Sequence, residues 1–194
     1  YEKVIVEYPD HVMSLYNIGS IYYNKAVEDG QDVVANLKKA DVYFSKTIQV
    51  LTNLPDIDQY DGFVKLKDGT ETLRKSIWVK LFNKATDNLN TEGELNQAET
   101  LFNDLLVMTP DSLNLYFRLA MVYEKKNDSV KQKEFFNKIL EKDPNNIRVL
   151  SVLAYEAYNA QDYAKAAELY SKLAVAEPEN IEHLLTAASC YYNL

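Results

Sequence analysis

The side chains in this chain with the most reactive chemistry are few and far apart. His11 and His183 are the only histidines, and Cys190 is the only cysteine. On one helix, His183 and Cys190 would share a face but stand about 10 Å apart. That is too far to share a metal ion, and no third ligand lies near them, so Cys190 reads as a small core residue. Asp56, Asp58 and Asp61-Gly62 partly match a calcium loop, which needs oxygen ligands at alternate positions, then Gly, then Glu. Here Tyr60 takes a ligand place, Gly62 falls one position late and Lys67 stands where the Glu belongs. A solvated loop is the better reading. The sequence has no Gly-rich phosphate loop, nucleophile elbow or His-x-x-x-His pair. We therefore expect no enzyme activity, no catalytic residue, no metal and no cofactor.

The remaining chemistry is recognition. Lys80, Lys84, Arg118, Lys125 and Arg148 stand out in a chain of net charge −8, with 21 basic and 29 acidic residues. That balance argues against duplex nucleic acid, whose binders need clustered cations to displace phosphate counterions. It also argues against a cationic helix lying on a membrane. No apolar run approaches the ~20 residues of a membrane span, so direct membrane insertion is not expected. The 15 tyrosines could suggest base stacking, but most of them fall at core spacing, as Tyr116, Tyr123 and Tyr170 do. A lone cysteine does not separate one redox compartment from another. No signal peptide is visible, and the sequence starts at Tyr1 rather than Met, so localisation stays open.

These side chains must be positioned by helices. Pro110, Pro144 and Pro178 fall 34 residues apart, and each closes a run that is apolar at spacings of three and four. Leu150, Leu153, Ala154 and Ala157 form one face, which Asn146 can cap. After Asp162, a second cap, come Tyr163, Ala166, Ala167, Tyr170 and Leu173. One period earlier, Tyr116, Leu119, Ala120 and Tyr123 precede Phe135, Phe136, Ile139 and Leu140. Earlier still, Phe82, Ala85 and Leu89 precede Ala98, Leu101, Phe102 and Leu105. With five glycines and five prolines in 194 residues, long helices fit better than many short strands.

The order Leu150, Leu153-Ala154, Ala166, Tyr170, Pro178 resembles the tetratricopeptide repeat (TPR), as does Tyr116, Leu119-Ala120, Tyr123, Phe136, Pro144. Ala157 departs from the usual tyrosine. Gln132 departs from the usual small residue and is expected to loosen its helix pair. The resemblance covers 79–194 closely and 1–53 more loosely. It implies an all-α, right-handed superhelical solenoid of antiparallel helix pairs, read as one domain over 1–194. Residues 1–9 are then the end of a truncated repeat, with Pro9 closing it. Residues 12–53 form a repeat with a late second helix after 28–32. Residues 54–69 are an irregular insertion; 70–112, 113–146 and 147–180 are regular repeats. Residues 181–194 are the first helix of a truncated repeat, which leads us to expect a piece of a longer array. Within the insertion, 63–67 followed by Asp68-Gly69 admits a short β-ribbon; the alternative is an inert connection.

The resemblance further implies that first helices carry a binding groove. Projecting their outward stripe gives Tyr16, Asn17, Tyr23 and Asn24, then Lys80, Asn83 and Lys84. It continues with Phe117 and Arg118, then Arg148 and Tyr155; Asn114, Met121 and Lys125 lie on the same stripe. Asn amides can bond a peptide backbone, aromatic rings can pack its side chains, and the cations can hold a carboxylate. The expected partner is a protein or peptide with an acidic or C-terminal carboxylate feature. The pattern by which some relatives grip chaperone tails is not met. Of Tyr16, Ser20, Lys84, Asn114 and Arg118, only Arg118 agrees. In the next window, only Arg148 agrees. A structural spacer within a longer chain, self-associating through exposed end helices, is one alternative. An accessory domain of an enzyme encoded elsewhere is another.

Overall fold

The computed structural model describes residues 1–8, 10–28 and 32–194. Pro9 and most of the 28–32 turn read from the sequence lie outside the described residues. The described residues form ten α-helices and one short 3-10 helix, with no strand. They group into two compact units, Tyr1–Leu101 and Phe102–Leu194.

The first unit contains α1 (Glu2–Glu7), α2 (Val12–Val27), α3 (Val33–Thr52), a 3-10 turn (Ile57–Gln59), α4 (Asp61–Asn90) and the start of α5 (Leu95–Met108). α2 packs on α3, and α3 packs on α4. Leu15, Ile18, Leu37, Ala40, Phe44, Leu51, Ile77 and Leu81 are buried, which places the core between these helices. Arg74 of α4 reaches across to Asp41 of α3, with Nε 2.6 Å from Oδ1.

The β-ribbon expected at 63–67 does not form. The segment is helix, and α4 starts at Asp61 rather than near Thr70. The physical reason lies in the same residues: Phe63, Leu66, Thr70, Leu73, Ile77 and Leu81 recur at three- and four-residue spacing. Thr70 is fully buried. Its hydroxyl donates to the Leu66 carbonyl at 2.6 Å. Gly62 and Gly69 have open space at their Cβ positions and a helix tolerates them. Only residues 54–60 of the expected insertion stand outside an α-helix.

The second unit contains the end of α5, then α6 (Leu113–Lys125), α7 (Ser129–Lys142), α8 (Ile147–Asn159), α9 (Tyr163–Ala176) and α10 (Ile181–Tyr192). Consecutive helices pack as antiparallel neighbours: α6 with α7, α8 with α9, and α9 with α10. Leu150, Ala154, Leu169 and Leu173 form one cluster. Ala157, Ala166, Ala167 and Cys190 form the next, so small residues allow the backbones to approach closely.

The 34-residue period is written into the backbone as well as the core. Gly93, Asn127 and Gln161 all have positive φ, at 83°, 58° and 59°. Asn127 and Gln161 end α6 and α8 in Schellman turns. The N–H of Asp128 donates to the Tyr123 carbonyl at 2.9 Å, and that of Asp162 to Ala157 at 2.9 Å. The same two aspartates then cap the following helices, accepting from the N–H of Lys131 and Lys165 at 3.1 and 3.2 Å. The prolines mark a second repeated turn. The N–H groups of Ser112, Asn146 and Asn180 donate to the carbonyls of Thr109, Asp143 and Glu177. Each proline therefore takes the second place of a β-turn, where its fixed φ fits.

Gln132, expected to loosen the pair that α7 makes with α6, makes its side-chain bond outside that pair. It is buried, and its amide donates to the Glu156 carboxylate of α8 at 3.2 Å. The polar side chain thus ties α7 to α8, the first helix of the next pair, where a small residue was expected.

Candidate functional site

The residues projected from the helical register divide between the two units. In the first unit, Tyr16, Asn17, Tyr23 and Asn24 lie on α2, and Lys80, Asn83 and Lys84 lie on α4. Lys80, Asn83, Lys84 and Asn24 are exposed, while Tyr16, Asn17 and Tyr23 are half-buried. Two of the tyrosines are engaged in the fold. The Tyr16 ring stands 5.9 Å from Phe44, and the Tyr23 hydroxyl is 3.0 Å from Ser76 Oγ. Ser76 precedes Lys80 by one helical turn, so Tyr23 of α2 touches α4 one turn before Lys80.

In the second unit, Phe117 and Arg118 lie on α6, and Arg148 and Tyr155 on α8. Phe117 packs against Phe136 of α7, with centroids 6.2 Å apart. The Arg148 guanidinium carbon stands 6.0 Å from the Phe117 ring centroid. This cation–π contact brings Phe117 of α6 and Arg148 of α8 together. Arg118 is half-buried, whereas Tyr155 is 63% exposed.

Asn114, Phe117 and Arg148 converge on one cavity of about 330 Å³. Leu113, Asp143, Asn145, Asn146 and Ile147 complete its wall. Arg118 and Tyr155 do not line it. Asp143, Asn145 and Asn146 belong to the β-turn between α7 and α8, Ile147 opens α8, and the helical projection does not name any of them. The signal was present in Pro144, because a turn recurring every 34 residues always delivers its last residues to the first turn of the next first helix. Asn146 is held twice. Its Oδ1 accepts from the Val149 N–H at 3.3 Å, and its Nδ2 donates to Asp143 Oδ2 at 2.9 Å.

Among the described residues, no group of three His, Cys, Asp or Glu side chains is placed to hold a metal ion. No helix among them is long and apolar enough to cross a membrane. Cys190 is fully buried, and burial pushes its thiol pKa up. The second histidine, His183, contacts Glu177 Oε2 at 2.9 Å and Asn180 Nδ2 at 3.0 Å, which fastens the turn before α10.

The helix pairs are TPR-like. No family model matches the chain, and no curated protein matches it significantly. Solved structures with a likeness to it include MamA, residues 41 to the end, from Desulfovibrio magneticus RS-1. It is 18% identical, with a TM-score of 0.45, over 84% of this chain and 96% of that one. A double mutant of RS-1 MamA is 19% identical with a TM-score of 0.45, over 83% and 95% of the two chains. TTC0263, a thermophilic TPR protein of Thermus thermophilus, is 16% identical with a TM-score of 0.44, over 93% and 99%. The 34-residue recurrence of turns, caps and positive-φ residues carries the repeat architecture independently of these likenesses.

Proposed function

We propose that the protein is a protein–protein interaction scaffold that binds a peptide or protein partner along the first helices of its pairs. The observation that carries this reading is the convergence of Asn114, Phe117 and Arg148 on one cavity. It offers an amide, an aromatic surface and a cation, a combination suited to a peptide's backbone, apolar side chains and carboxylates. In the first unit, exposed Lys80, Asn83 and Lys84 beside the α2 stripe offer a comparable mixture. Affinity capture from source-cell lysate tests the proposal, using the parent chain, Lys80→Glu/Lys84→Glu and Arg148→Glu. All three positions are exposed, so circular dichroism should be unchanged. A partner captured by the parent and lost from either variant supports the reading. A partner retained by both variants moves the contact to another surface.

One observation favours a second reading, an assembly module that self-associates through its last helix. Leu184 and Tyr191 of α10 are 62% and 58% exposed. The residues one repeat earlier, Leu150 and Ala157, are buried under α9. Sedimentation of the parent and of Leu184→Glu separates the readings. A concentration-dependent dimer lost in the variant supports self-association, and a monomer at all concentrations removes it.

A further inference from the structure

Resting on the interaction reading above, we propose that the α6–α8 cavity takes an extended peptide segment bearing an acidic side chain within it, and that Arg148 recognises that side chain. Three features of the cavity wall point to this chemistry. First, the Phe117 face holds the Arg148 guanidinium at 6.0 Å. A guanidinium beside an apolar ring spends none of its N–H donors on that contact, so a carboxylate can take two of them. Among the described residues no carboxylate pairs with Arg148. Second, the side-chain amides of Asn114 and Asn145 line the cavity and make no hydrogen bond among the described residues. Each presents a donor and an acceptor, which matches the alternating C=O and N–H groups of an extended backbone. Third, the wall carries both signs of charge: Arg148 is exposed, and Asp143 is half-buried with Oδ2 accepting from Asn146 Nδ2 at 2.9 Å. The Asp143 carboxylate opposes a chain terminus placed beside the turn, while the exposed Arg148 suits an acidic side chain of a segment passing over it.

Selection from two displayed libraries of random decapeptides tests the assignment. One library ends in a free C-terminus, and the other continues into a linker. The bait is the whole chain, as parent and as Arg148→Glu, with equal circular dichroism required of both. The expected result is enrichment of Asp or Glu at one fixed internal position from both libraries. With Arg148→Glu that preference should vanish, and an acidic peptide from the parent selection should bind about tenfold more weakly. Enrichment confined to the free-C-terminus library, with no acidic side chain, overturns the inference in favour of a terminal carboxylate. A consensus without an acidic residue, unchanged by Arg148→Glu, overturns the inference and leaves peptide binding standing. No enrichment above an empty-bait control from either library overturns both.

Discussion

Gly19 of α2 lies against the Phe44 ring of α3, so close that an added Cβ would stand 2.7 Å from both Cδ1 and Cε1. Phe44 is fully buried and its ring has nowhere to retreat. Gly19→Ala gains up to about 1 kcal/mol in helix propensity. Overpacking a closed contact costs about 1–3 kcal/mol. The cost wins, and we expect Gly19→Ala to lower the stability of the first unit by about 1 kcal/mol. Urea denaturation followed by circular dichroism measures it. A more stable variant would show that α2 and α3 can separate without penalty.

The repeated turns make a prediction of opposite sign. Gln161 and Asn127 occupy equivalent positions with nearly equal φ, 59° and 58°. A left-handed conformation costs an ordinary L-residue about 1–2 kcal/mol, and Asn tolerates it better than Gln. Glycine removes that strain but adds unfolded-state entropy. We therefore expect Gln161→Gly to stabilise the second unit by about 0.5–1 kcal/mol and Asn127→Gly to do less. Thermal melts of the two variants give the ranking. Equal gains, or losses in both, would contradict it.

These turns also explain what could be read from the sequence. Pro144, Asn146, Asp162 and the apolar spacing each act locally, so the period and the helix pairs were visible without the structure. Asp68-Gly69 misled for the same reason. The dipeptide is a strong local turn signal, and only tertiary burial of Thr70 and partial cover of Phe63 show that the helix continues through it. The candidate site was half visible. Helical projection names Asn114, Phe117 and Arg148, because direction on a helix follows from register. It cannot name Asp143 or Asn145, whose approach to α6 depends on how a turn folds back. Nor can it show that Tyr23 and Tyr16, projected as outward, spend part of their surface on Ser76 and Phe44.

The ion pair between α3 and α4 yields a third prediction. Arg74 meets Asp41 with Nε–Oδ1 at 2.6 Å and Nη2–Oδ2 at 3.4 Å. Two-point geometry of this kind is specific to a guanidinium. Arg74→Lys keeps the charge and loses the fork, so it should destabilise by about 0.5–1 kcal/mol. Asp41→Asn should cost more, because it leaves a partly covered guanidinium without its counter-charge. Denaturation midpoints at low and high salt decide the matter. If Arg74→Lys equals the parent, the pair acts as a simple surface charge contact.

The final prediction concerns pH. Cys190 is fully buried beside Ala157, Ala166 and Ala167, with Tyr170 packed against the same cluster. Burial raises the pKa of the Cys190 thiol, and burial, followed by the charges of Cys190, Tyr158 and Tyr155, raises that of Tyr170. Both groups are neutral when protonated, so the unfolded chain loses these protons first as pH rises. The unfolded state then binds fewer protons than the native state, and stability falls with increasing pH. The contribution of Cys190 is intact below its unfolded value of about 8.5 and declines above it; that of Tyr170 begins to decline near about 10. Cys190→Ala should flatten the first part of this decline, between roughly pH 8.5 and 10. The native thiol should also resist an aromatic disulfide reagent at pH 8 and react at once in urea. Rapid reaction of the folded protein would mean that α10 opens from α9 on the timescale of the assay.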